Sequence, residues 1–227
     1  MEGADIAARR RLFEMSSEER VLQRSGYQRV CGLDEAGRGP LAGPVVAGAV
    51  ILPFPCSLVG VRDSKALSPC QRDNLFPQIT REALAVGIGI VDADVIDRIN
   101  ILQATYVAMR MALAQLHLSP DYLLIDALTL PLTPVPQRGI IRGDQRSVSI
   151  AAASIIAKVT RDRLMCDDHH RFPQYRFDIH KGYPTTAHLN SIKKYGPCPL
   201  HRKTFRGVKE YLARANDVRM PQPETSP

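Results

Sequence analysis

RVCGLDEAGRGPLAGPVVAGAVIL, residues 29–52, holds two β-branched runs, 29–33 and 45–52, on either side of a segment rich in glycine and proline. Two such runs separated by Gly and Pro read as paired strands. The first run ends in adjacent carboxylates, Asp34 and Glu35. In a regular strand such neighbours point to opposite faces. The glycines that follow let the chain bend and bring its backbone close to a ligand. Taken alone, Asp34-Glu35 reads better as a polar hairpin turn, where Asp and Gly are common.

Outward from this stretch the pattern alternates. Residues 4–24 read as an Arg/Glu-rich helix ahead of the main fold. Residues 67–84 read as a helix with Ser68 as N-cap and Pro69 at its first position. AVGIGIV, 85–91, is a strand, and YLLID, 122–126, is a short continuous apolar strand of the kind buried on both faces. Between them Val95, Ile99, Leu102, Tyr106, Met109, Leu113 and Leu116 recur at steps of three and four, which predicts one long helix over 92–116. An Ala/Ile-rich helix follows over 146 to about 168, then a loop, FPQYRFDIHKGYPTTAH, and two short basic helices. This order predicts an α/β fold, a mixed sheet with helices on its faces and a basic helical lobe beside it. The expected division is an N-terminal extension 1–28, a main α/β domain 29–178, a basic C-terminal region 179–214 and a disordered, Pro-rich tail 215–227.

The 227 residues suit one domain, or one with a small appendage. With 44% hydrophobic and 23% charged residues the chain is not wholly disordered. No apolar run approaches the roughly 20 residues that span a bilayer, and the charged N-terminus MEGADIAARRRLFEMSSEER leaves no room for a signal peptide. A cytoplasmic location is the expectation. The five cysteines are scattered and form no C-x-x-C pair, so reduced thiols are expected rather than disulfides or structural zinc. The net charge is +7, and residues 180–214 alone carry +7. Such a concentration points to a polyanion, or equally to a solvated helix face.

A second lone carboxylate, Asp126, ends the buried strand, and a third, Asp144, follows Gly143 just before the Ser147 helix. Asp126 alone is an ordinary turn residue and Asp144 an ordinary helix cap. Together, carboxylates at the ends of separate strands converge and repel one another unless a cation neutralises them. Hard oxygen ligands suit Mg²⁺ or Mn²⁺, and two such ions about 4 Å apart clamp a phosphodiester for hydrolysis. Gly37-Arg38-Gly39-Pro40-Leu41-Ala42-Gly43 is one residue too long for a dinucleotide fingerprint and follows two acids that would repel a pyrophosphate. Ser64 and Lys65 could hold a phosphate or form a plain loop. Ser154 and Lys158 share a helix face, with Lys snorkelling as the alternative. Tyr183 could stack on a sugar or base, or simply pack.

These segments resemble ribonuclease H type 2, the family called ribonuclease HII. The matching stretches are GLDEAGRGPLAGPVVAGAVIL (32–52), DSKALS (63–68), LLIDAL (123–128), GDQRSVSIAAASIIAKVTRDR (143–163) and HKGYPTTAHLNSIKKYGPCPLHRKTF (180–205), in family order. The resemblance implies the ribonuclease H fold with a C-terminal helical region. It implies endonucleolytic cleavage of RNA in RNA–DNA hybrids and of single ribonucleotides in duplex DNA. The cut falls 5′ to the ribonucleotide and leaves 3′-hydroxyl and 5′-phosphate ends. It further implies a monomer that uses two Mg²⁺ or Mn²⁺ ions. The family's metal carboxylates fall on Asp34, Glu35, Asp126 and Asp144, with Asp162 competing for the fourth place. Asp34 and Asp126 would hold or bridge both ions, and Glu35 and Asp144 one each. Gly37, Arg38 and Gly39 would read the 2′-hydroxyl, and Tyr183 would stack on the deoxyribose 3′ of the ribonucleotide. Ser64, Lys65, Ser154 and Lys158 would hold phosphates. His180 or His201 is a candidate for proton transfer, or else a surface histidine. Two other readings stand: a non-catalytic nucleic-acid binder, and another metal nuclease of the same fold such as type 3 ribonuclease H. The 28 residues before the first strand are too few for the extra domain of type 3.

Overall fold

In the computed structural model the chain is described over residues 2–212; the tail expected to be disordered lies outside the described residues. Two helices, α1 (Glu2–Met15) and α2 (Ser17–Arg24), precede the sheet. Strands β1 (Val30–Ala36) and β2 (Val45–Ile51) are followed by α3 (Pro69–Glu82) and β3 (Ala85–Val91). Then come α4 (Ala93–Ile99), α5 (Ile101–Ala114), β4 (Tyr122–Asp126) and β5 (Gln137–Ile140). The long α6 (Val148–Arg171), the single turn α7 (Phe177–His180) and α8 (Thr186–Tyr195) complete the list. A further helical segment covers residues 209–212.

The sheet order is β3-β2-β1-β4-β5. The first three strands pair antiparallel and the last two are parallel to β1. This is the expected mixed sheet. Cys31 and Leu33 of β1, with Leu123 and Ile125 of β4, face Ala104, Ala108 and Ala112 of α5. The opposite face, from Val50 to Leu124, lies under α6 and α3. Small residues set the spacing. A Cβ on Gly32 would stand 2.1 Å from the Ser149 carbonyl carbon of α6, and one on Gly89 1.8 Å from the Ala108 oxygen of α5. Both helices therefore sit closer to the sheet than any side chain on these residues would allow. The close seat of α6 on β1 brings Ser154 over the carboxyl end of that strand.

Three local readings change. The helix expected over 92–116 is two, because Asn100 turns left-handed (φ 65°) and its side chain caps α5 through the amides of Leu102 and Gln103. Asn accepts such bonds readily. The N-terminal helix likewise breaks at Ser16. Strand β5 was not visible in the sequence, since QRGI carries no apolar alternation; it is held by pairing to β4. The α3 start follows expectation, with Ser68 and Gln71 forming a capping box.

Candidate active site

Register puts the carboxylates side by side. Leu33 of β1 pairs with Ile125 of β4, so the next residues, Asp34 and Asp126, stand side by side on neighbouring parallel strands, Asp126 as the last of β4. Asp126 in turn pairs with Ile140 of β5. Two residues further, Arg142 turns left-handed and opens a short 3₁₀ turn, Gly143–Gln145, that carries Asp144. The Gly143 amide donates to Asp126 Oδ1 at 2.7 Å, which ties this turn to β4. Asp34 and Asp144 are both buried.

The electrostatics are those of crowded like charge. Burial, then Glu35 and Asp126, hold the Asp34 carboxyl well above the usual carboxylate range. Burial also raises Glu35, with Arg38 pulling it down and Asp126 pushing it up. Burial, Asp63 and Asp126 push Asp144 up to about 6. Glu35 Oε2 is buried without a hydrogen-bond partner. Burial opposes the Lys65 charge, yet Asp34, Asp144, Asp63 and Asp126 outweigh it and raise its pKa. Lys65 thus faces the carboxylates it partly neutralises. Among the described residues no three acidic, histidine or cysteine side chains are drawn together closely enough to hold an ion as they stand. The all-oxygen donor set, the unpartnered Glu35 oxygen and the mutual destabilisation nevertheless suit a hard divalent cation.

Asp63 was missed in the sequence. It caps Lys65 through the amide at 2.8 Å, accepts from Gln145 Nε2 at 3.2 Å and presses on Asp144. It lay inside the DSKALS stretch but beside residues read only as phosphate holders. Asp162, the rival for the fourth place, is engaged elsewhere, by Lys158 at 2.7 Å and Arg72 at 3.8 Å.

Ser64 and Ser154 hydrogen-bond to each other at 2.7 Å, and Ser154 also bonds the Asp34 carboxyl. Lys158 lies 5.7 Å from the Tyr183 ring centre, and Tyr183 is 39% exposed. Arg38 is half-exposed and 3.4 Å from Glu35. The Gly37–Gly39 loop itself is fastened from below by two arginines, both 0% exposed. Arg202 donates to the carbonyls of Gly37, Arg38 and Gly43 at 2.6–3.1 Å. Arg161 donates to those of Pro44, Ala42 and Lys181 at 2.9–3.1 Å. Gly37 has φ 101°, and a Cβ there would meet Arg161 Nε at 2.2 Å. The Leu41 amide bonds the Gly182 carbonyl at 2.8 Å, which ties the glycine loop to the Tyr183 turn.

Histidines complete the support, and their partners fix their tautomers. His188 Nδ1 faces the Tyr183 carbonyl at 3.0 Å and must donate to it, which leaves Nε2 as an acceptor in the neutral ring. His201 Nε2, 3.0 Å away, then donates to that atom, and its Nδ1 accepts from the Cys198 amide at 2.9 Å. His180 Nε2 donates to the Tyr175 carbonyl at 2.7 Å, its Nδ1 accepts from the Gly182 amide, and its ring stacks on His188 at 4.4 Å. Burial lowers His188 to about 4 and His201 to about 3. Neither His180 nor His201 is a surface residue, and both ring nitrogens of each are committed to protein groups. The surface reading is therefore corrected to a buried, structural one, and neither ring keeps a free nitrogen for proton transfer.

The sequence model for Ribonuclease HII matches residues 31–208. The ribonuclease HII of Syntrophotalea carbinolica is 57% identical over 194 residues, covering 86% of this chain and 93% of that one. The chain belongs to the ribonuclease HII family. Family members are endonucleases, hydrolases that act on the RNA of RNA–DNA hybrids. The crystal structure of ribonuclease H2 from Pyrococcus horikoshii shares 28% identity with a TM-score of 0.69, over 83% of this chain and 99% of that chain. Bst-RNase HIII in complex with Mn²⁺ shares the fold at 19% identity and TM-score 0.63, over 86% of this chain and 72% of that chain. Among the described residues no helix is long and apolar enough to cross a membrane.

Proposed function

We propose that this ribonuclease HII relative cleaves the RNA strand of hybrids and cuts 5′ to single ribonucleotides in duplex DNA, leaving 3′-hydroxyl and 5′-phosphate ends. The observation that carries the reading is the juxtaposition of crowded carboxylates with the Gly37–Gly39 loop, which Arg38 links to Glu35 and which Arg161, Arg202 and Gly182 tie to the Tyr183 turn. Asp34 and Asp126 would hold two Mg²⁺ or Mn²⁺ ions jointly, with Glu35 and Asp144 on one each. Such ions supply charge neutralisation and Lewis acidity at the scissile phosphate. The chain's own residues supply position and selectivity. Amides of Gly37 and Gly39, free of side-chain bulk, approach the 2′-hydroxyl that separates RNA from DNA. The Tyr183 ring stacks on the sugar that follows and favours a deoxyribose there. Lys65, Ser64 and Ser154 hold the phosphates nearest the carboxylates. Lys158 joins them by exchanging Asp162 for a backbone phosphate. The basic segment 180–214 takes the duplex backbone. The enzyme acts as a monomer in the cytoplasm, where its five free cysteines stay reduced.

A duplex with one labelled ribonucleotide, incubated in Mg²⁺, Mn²⁺ or EDTA, tests this beside Asp126→Asn. A single cut 5′ to the ribonucleotide is expected, absent in EDTA and slowed at least about 10³-fold in the variant. Cleavage of long hybrids with the lone ribonucleotide left intact would overturn the junction reading. Binding without cleavage in either metal would make the protein a nucleic-acid binder.

A further inference from the structure

Helix α2 precedes the residues that the family model matches, yet it is fastened to the site. Glu19 on α2 is fully buried. Its Oε1 accepts from the Ser147 hydroxyl and, at 3.0 Å, from the Ser149 amide. Ser147 is the N-cap of α6 and itself accepts from the Ile150 amide. The first amides of a helix lack intrahelical partners and carry partial positive charge, so a carboxylate there both bonds and balances them. Its neighbour Glu18 pairs with Arg146 at 3.3 Å and with Arg138 of β5 at 2.9 Å. Two consecutive acids of α2 therefore grip residues 138, 146, 147 and 149.

Asp144 lies inside that grip. The turn that carries it closes with bonds from the Arg146 and Ser147 amides to the Gly143 carbonyl at 2.9 and 2.8 Å. Two further bonds hold the turn that carries the Asp144 carboxylate, from the Gly143 amide to Asp126 Oδ1 at 2.7 Å and from Gln145 Nε2 to Asp63 Oδ2 at 3.2 Å. Its place comes from the turn, and the exit of the turn comes from α2. Glu19 Oε2 is buried with no hydrogen-bond partner, so the fold tolerates a desolvated oxygen to keep this contact.

We propose that Glu19 is a positioning residue: from outside the matched part of the chain it fixes the turn that presents Asp144, and so sets the fourth carboxylate of the metal centre. This rests on the preceding reading of the carboxylates as a cation site. The test titrates Mn²⁺ calorimetrically into full-length wild type, Glu19→Ala, Glu19→Gln and Ser147→Ala, well below their melting temperatures. The same proteins are then run in the single-ribonucleotide cleavage assay. Losing an outer partner of a metal ligand commonly weakens affinity by tenfold or more. Glu19→Ala is expected to bind Mn²⁺ about tenfold more weakly and to lose about as much kcat, with KM for the duplex within about twofold. Glu19→Gln, which keeps an oxygen for both donors, should restore most of both. Ser147→Ala should weaken Mn²⁺ binding by about threefold, and it carries the test if Glu19→Ala does not fold. A variant that melts lower yet binds Mn²⁺ and turns over like wild type would make Glu19 an ordinary helix cap and overturn the proposal. If wild type binds Mn²⁺ but cuts nothing, the proposed activity fails while the binding comparison still decides the role of Glu19. A wild type that binds no Mn²⁺ overturns both.

Discussion

Near the ends of β1 and β4 carboxylates crowd together; burial and like-charged neighbours raise the pKa of Asp34 and Asp144, and Glu35 Oε2 has no partner. Beneath the Gly37–Gly39 loop, Arg161 and Arg202 are buried as deeply, yet each spreads its charge over three backbone carbonyls. His188 and His201 there have every ring nitrogen assigned. The difference separates two uses of buried polarity. Groups with complete partners hold the fold. Groups pressed against their own sign with an oxygen left unpartnered suit a further ligand.

Each half of this comparison can be broken. Arg202→Met removes the donors from three carbonyls at once and leaves them buried. Breaking one side of a buried charge network costs about 3–5 kcal/mol. Urea denaturation should show a loss of that size, and a loss under about 1 kcal/mol would mean that Arg202 is not what fastens the loop.

Acid acts oppositely on the two regions. The folded pKa values of His188 and His201, about 4 and about 3, lie below the usual 6.5. The unfolded chain therefore binds their protons first, and stability present above pH 6.5 is lost as pH falls toward 4. With about 1.4 kcal/mol per pH unit for each proton, the loss between pH 6.5 and 5.5 should be about 2 kcal/mol. Asp144 has the reverse sign, because its folded pKa of about 6 exceeds the usual 3.8. In metal-free buffer it favours the folded state as pH falls from 6 to 4. Asp144→Asn should then steepen the acid loss by about 1 kcal/mol per pH unit. A variant whose pH–stability curve runs parallel to that of wild type would mean that the carboxylates do not crowd.

The acidic half was the more legible in sequence for a physical reason. Asp34, Glu35 and Asp126 are charges at the ends of apolar runs, a local contrast that a single chain displays. Asp144 was harder to place, since helix capping accounts for it as well. Asp63 is harder still, since Ser64 and Lys65 beside it make the segment read as a phosphate-holding or plain polar loop. The supporting half depends on tertiary pairing. Arg161 in VTRDRL and Arg202 in LHRKT look like solvated cations until the carbonyls that surround them are known. Glu19 sits in an Arg/Glu-rich helix that reads as surface, and only its burial against Ser147 and Ser149 gives it a role. The break at Asn100 and the four residues of β5 were likewise set by packing and pairing, not by hydrophobic period.

The most direct test of the claim that these carboxylates await a cation is the melting temperature of wild type and Asp126→Asn, each in EDTA and in Mn²⁺. Neutralising one repelling carboxylate should make the variant the more stable protein in EDTA, by about 1 kcal/mol. Mn²⁺ should raise wild type well above it, so the order reverses. Wild type melting higher in both conditions, or no shift with Mn²⁺, would contradict the claim.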